Sequence, residues 1–100
     1  MKINIKAVNA ELAPSAHELI NKKISGLRKY FDYIIEADVE VGITSLHHAK
    51  GNIYRAEVNL SVPKAIIRAE AETENITKSM NKVRDILKKE LVKYKEKHAS

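Results

Sequence analysis

The chain has 100 residues, no cysteine, and 18 Lys/Arg against 13 Asp/Glu, for a formal charge of +5. That length suits one domain spanning 1–100, and the missing cysteines exclude a disulfide framework, a thiolate zinc site and a thiol nucleophile. With 44% apolar and 31% charged residues, the composition is that of a folded globular domain, far from the disordered and membrane classes.

Residues Met1 to Asn9 alternate, with Ile3, Ile5 and Ala7 on one side and Lys2, Asn4 and Lys6 on the other, which predicts a strand with one wet face. The stretch Met1 to Ala10 lacks the unbroken apolar run of a signal peptide, and no segment reaches membrane-spanning length, so a cytoplasmic protein without membrane contact is expected. From Pro14, suited to a first helical turn, the residues Ala16, Leu19, Ile20, Ile24, Leu27 and Phe31 recur at helical spacing. They predict one helix of about five turns.

Ile35 to Thr44 sets Ala37, Val39, Val41 and Ile43 against Glu36, Asp38 and Glu40, a half-buried strand, and the polar Ser45 to Asn52 reads as a hairpin loop. A third strand runs from Ile53 to Val62, with Tyr54, Ala56, Val58, Leu60 and Val62 inward, and ends at Pro63-Lys64. The fourth, Ala65 to Thr73, turns Ile67, Ala69 and Ala71 inward and Ile66, Arg68, Glu70 and Glu72 outward. Beyond Asn75, a plausible N-cap, Ile76, Met80, Val83, Leu87, Leu91 and Tyr94 step by three or four along a helix ending near His98. The order β-α-β-β-β-α predicts an α+β two-layer sandwich: a four-stranded mixed sheet, its first two strands parallel by a right-handed crossover, with both helices on one face.

The charge is uneven. Residues 1–75 carry ten Lys/Arg and ten Asp/Glu, whereas 76–100 carry eight against three, so the whole excess of five lies in the last helix and its end. On a helical wheel Lys78, Lys82, Lys89 and Lys93 occupy one flank and Arg84, Lys88 and Lys95 the other, and the first helix adds Lys22, Arg28 and Lys29. A solvated helix face interleaves both signs; a one-sided field costs self-repulsion and points to a phosphate-bearing partner. The opposite sheet face mixes Glu36, Asp38, Glu40, Glu57, Glu70 and Glu72 with Lys2, Lys6, Arg55 and Arg68, the pattern of cross-strand pairing, and offers no aromatic platform for single-stranded RNA.

Of the four histidines only His47 and His48 are adjacent, with no third ligand at a recognisable spacing, so neither a metal nor another cofactor is expected. There is no glycine-rich phosphate loop, nucleophile elbow or His-carboxylate pair at diagnostic spacing, so a non-enzymatic role without a small-molecule substrate is expected. Two rival readings remain: a protein-interaction module, and a small enzyme with a basic pocket for a phosphorylated substrate.

The stretch KKISGLRKYFD, Lys22 to Asp32, and the stretch AEAETENITKSMNKVRDILKKELVKYKEK, Ala69 to Lys97, resemble the hibernation-promoting factor and ribosome-associated inhibitor family, also called sigma-54 modulation proteins. Lys23, Leu27, Tyr30, Phe31 and Asp32 match in the first; Asp85, Leu87, Lys89, Leu91, Lys93, Lys95 and Lys97 match in the second. Where members usually carry an aromatic and an aspartate early in the last helix, this chain has Thr77 and Asn81. The resemblance, to the short type of the family or to a separately expressed N-terminal domain, implies a double-stranded-RNA-binding-like fold that enters the small ribosomal subunit, overlaps the tRNA and mRNA sites and blocks translation in stress or stationary phase. On this reading Lys22, Lys23, Arg28, Lys29, Lys82, Arg84, Lys88, Lys89, Lys93, Lys95 and Lys97 face rRNA phosphates; the sigma-54 name implies, as the alternative, a protein-interaction module modulating a transcription complex.

Overall fold

The structure, a computed structural model, describes residues 1–43 and 51–98. Most of the expected Ser45 to Asn52 loop, with His47 and His48, lies outside them.

Strands β1 (Lys2–Val8), β2 (Glu36–Ile43), β3 (Tyr54–Val62) and β4 (Ala65–Thr73) form one sheet in the order β1-β2-β3-β4. β1 runs parallel to β2, and β2, β3 and β4 form an antiparallel meander. Alternation puts Ala37, Val39, Val41, Ala56, Val58, Leu60, Val62 and Ala69 into the core, because successive side chains in a strand point to opposite faces. Helices α1 (Pro14–Ser25) and α2 (Ile76–His98) cover that face. Ile20 and Ile24 from α1, Leu27 just beyond it, and Met80, Val83, Leu87 and Leu91 from α2 are fully buried, the stripes their spacing predicts.

The first helix is shorter than its periodicity implies. The α-helical pattern stops at Ser25 and Gly26–Lys29 continue as a 3₁₀ turn. Gly26 is a poor helix former, and the tighter turn, with three residues per repeat, keeps buried Leu27 and half-buried Tyr30 on one side. α2 runs over the residues expected, with the Asn75 Oδ1 accepting the Lys78 backbone N–H at 2.8 Å as an N-cap. Ser79 anchors its first turn, donating from its buried hydroxyl to the Tyr54 carbonyl at 2.7 Å and lying 2.8 Å from the Thr73 hydroxyl.

Gly42 pairs with Val8 in the β1–β2 register. A Cβ there would lie 2.1 Å from the Val8 carbonyl oxygen, so the two strands approach as closely as they do only because the side chain is absent.

Candidate nucleic-acid interface

The 3₁₀ turn brings the end of α1 against the middle of α2, and the seam between them is an open groove of about 700 Å³. Lys22, Lys23 and Lys29 line one wall, Arg84 and Lys88 the other, and Leu19, Leu27 and Tyr30 are among its apolar lining. Asp85 is the one acidic residue in that lining, 3.2 Å from Arg84. Of the two cationic flanks of α2, the groove takes the one carrying Arg84 and Lys88 because these face α1, while Met80, Val83, Leu87 and Leu91 face the sheet.

Five cations around one carboxylate leave an uncompensated positive field. Within it, partial burial first and the Arg84 guanidinium second hold the Lys23 ammonium below the usual 10.5. Two ammoniums approach the Tyr30 ring, Lys88 Nζ at 5.2 Å and Lys29 Nζ at 5.5 Å from its centre, distances at which the ring quadrupole attracts a cation. The ring therefore fixes two lysines at the groove's end.

Lys29 and Tyr30 also border a second depression, of about 500 Å³, at the end of the helical layer. Arg28, Lys64 and Lys95 join them there with Phe31, Tyr33, Tyr94 and His98. Phe31 is the hub: its centroid lies 5.4 Å from Tyr94 and 5.8 Å from Tyr33, both edge to face. The Tyr94 hydroxyl donates to the Pro63 carbonyl, tying α2 to the β3–β4 turn, and the His98 ring stacks 4.2 Å from it.

Of the eleven cations expected at a phosphate surface, Lys22, Lys23, Lys29, Arg84 and Lys88 thus converge on the groove, and Arg28, Lys29 and Lys95 on the aromatic depression. Lys82, Lys89, Lys93 and Lys97 line neither; they are exposed along α2, and Lys93 lies 3.7 Å from Glu90. The aromatic cluster has a partial signal in the sequence: Tyr30, Phe31 and Tyr33 place three of the five aromatic residues within four positions.

The open sheet face is knit as its pattern predicts. Glu57 and Glu70 oppose each other across β3 and β4, and both are bridged by Arg55 and Arg68, with Arg55 3.1 Å from Glu57. Asn4 donates to Glu36 at 2.6 Å and to Asp38 at 2.8 Å. Among the described residues no group of three His, Asp or Glu side chains is placed to hold a metal, and no helix is long and apolar enough to cross a membrane.

Residues 3–99 match the sequence model of the Sigma 54 modulation protein / S30EA ribosomal protein family. A ribosome hibernation promotion factor of Deinococcus radiodurans is 31% identical over 90% of this chain and 47% of its own length, and one of Bacillus subtilis is 26% identical over 97% and 50%. The chain spans about half the length of these two relatives. The structure of a ribosomal subunit interface protein from Coxiella burnetii superposes with a TM-score of 0.84 over 96% of this chain and 99% of that one, at 24% identity.

Proposed function

Because the chain belongs to the Sigma 54 modulation protein / S30EA ribosomal protein family, we propose that it is a ribosome hibernation factor of the bacterial cytoplasm. It binds rRNA of the small subunit through its helical face, occupies space that tRNA and mRNA require, and lowers translation under stress. The whole described domain acts as one ribosome-binding unit, by occlusion rather than by chemistry.

The observation that supports this reading is the groove: Lys22, Lys23, Lys29, Arg84 and Lys88, drawn from two helices and the turn that follows the first, share one concavity with a single carboxylate. A field of one sign in a concave site concentrates and orients a polyanion, and cations on both walls of the groove meet phosphates while reading no base. Lys82, Lys89, Lys93 and Lys97 extend that field over the exposed surface of α2. The names of the relatives, ribosome hibernation promotion factors, support the ribosome as the place of binding.

The test is competition on vacant small subunits between this protein and a labelled initiator tRNA bound with a short mRNA. Displacement of the tRNA in proportion to bound protein is expected. Full occupancy by both at once would overturn occlusion.

The words Sigma 54 modulation in the family's description carry a second reading, a protein-interaction module modulating a transcription complex, and binding to a protein partner that survives nuclease and moderate salt would support it.

A further inference from the structure

We infer that the aromatic depression beside the groove captures one unstacked nucleotide of a single-stranded RNA whose neighbouring phosphates lie in the groove. This rests on the RNA-binding reading above and adds to it a site that reads strandedness.

Three observations carry the inference. The first is composition: four of the five aromatic residues of the chain, Tyr30, Phe31, Tyr33 and Tyr94, line a single depression. Tyr30, Phe31 and Tyr94 are partly buried against the core, but core packing does not require Tyr33, which is 71% exposed and whose ring is offered to solvent from an edge contact with Phe31. A large exposed ring propped in place by a second ring is the arrangement on which a base stacks.

The second is charge. Arg28, Lys29, Lys64 and Lys95 stand around those rings with Asp32 as the one carboxylate of the lining. An apolar ligand would make no use of these exposed cations, and a bare anion would leave the rings unused. A nucleotide uses both, with its planar base on the rings and its phosphate on the cations. The volume of about 500 Å³ lies within the roughly 300–1,000 Å³ of ligand clefts.

The third is continuity. Lys29 and Tyr30 belong to the lining of both concavities, so a chain leaving the groove passes directly into the depression. The Tyr94 hydroxyl bond to the Pro63 carbonyl and the stack of His98 on Tyr94 hold the far wall, where Lys64 adopts a positive φ of 69° at the tip of the turn. A base inside a duplex is stacked on both sides and cannot enter, so the depression accepts only single-stranded RNA.

The experiment compares a single-stranded oligoribonucleotide of adenine and uracil with a blunt RNA duplex of equal length, for the wild type and for Tyr33→Ala, Tyr33→Phe and Lys88→Gln. Tyr33 is exposed, so its replacement leaves the core intact. Tyr33→Ala is expected to lose about 5- to 150-fold in affinity for the single strand, the loss of one stacked base, and to leave duplex affinity unchanged. Tyr33→Phe, which keeps the ring, is expected to match the wild type, and Lys88→Gln to weaken both ligands. Equal affinity of wild type and Tyr33→Ala for the single strand, with Lys88→Gln still weakened, would overturn the base site and leave the groove standing. Indifference of both ligands to Lys88→Gln would overturn the groove and the base site together. Free 5′-AMP is expected to bind far more weakly than the oligomer; binding as tight would make the depression a free-nucleotide site and overturn the proposal.

Discussion

Lys88 reaches across the seam from α2 to lie 5.2 Å from the centre of the Tyr30 ring, which also carries Lys29 at 5.5 Å. One aromatic ring thereby holds two cations at the junction of the groove and the aromatic depression. A lysine so positioned loses less freedom on meeting a phosphate than one swinging in solvent.

Replacing Lys88 by Gln is expected to lower the salt slope of RNA binding by about 0.7–0.9 unit, the counterions of one phosphate contact. An exposed cation–π contact is worth only about 0.5–1 kcal/mol, so the urea unfolding midpoint changes little. Salt-dependent filter binding and urea denaturation of the same variant separate the two effects.

Lys23 is held below its usual 10.5 by partial burial and by Arg84, so the folded protein binds its proton less readily than the unfolded chain does. Such a group opposes folding while it is charged, and stability recovers as pH rises through the folded value toward 10.5. Lys23→Gln is therefore expected to be slightly more stable than the wild type at neutral pH, with the difference shrinking as pH approaches 10.5, and yet to bind RNA less tightly. Urea midpoints across that range, set beside binding at neutral pH, check both parts.

Glu57 illustrates the opposite sign. Burial disfavours its carboxylate, but the hydrogen bond from Arg68 and the charges of Arg68 and Arg55 prevail and hold it below the usual 4.5. Its contribution is present above 4.5 and is lost as pH falls through the depressed folded value. Glu57→Gln is expected to cost about 1 kcal/mol at neutral pH, the upper end for pairs near the surface, and to flatten the acid limb of the stability profile without changing RNA affinity.

Gly42→Ala places a methyl group 2.1 Å from the Val8 carbonyl oxygen. The obstacle is backbone, so β1 must shift away from β2, at a cost of about 1–3 kcal/mol. Thermal unfolding is expected to show a lowered Tm, and hydrogen exchange to show lost protection along the β1–β2 ladder before the β3–β4 ladder is touched.

Much of the fold is legible in the sequence because period alone separates the elements: β4 and α2 occupy the predicted Ala65 to Thr73 and Ile76 to His98. The first helix is where period misleads, since Leu27 continues the stripe of Ile20 and Ile24 whether the backbone is α or 3₁₀, and only Gly26 hints at the change. The basic groove is half legible. Wheel geometry separates Arg84 and Lys88 from Lys82 and Lys89, but which flank meets the first helix depends on how the helices dock. The aromatic depression is assembled from residues as distant in the chain as Tyr33 and Tyr94, so the local cluster of Tyr30, Phe31 and Tyr33 announces only one side of it.

The central claim, that the groove grips rRNA of the small subunit, is tested most directly by sedimenting the protein with vacant small subunits across a salt series. Wild type is compared with Lys23, Arg84 and Lys88 changed together to Gln and, separately, with Lys89, Lys93 and Lys95 changed together to Glu. The account predicts salt-sensitive co-sedimentation that the groove triple abolishes at moderate salt and that the second triple weakens through the wider field. Co-sedimentation of the groove triple indistinguishable from wild type at every salt concentration would contradict it.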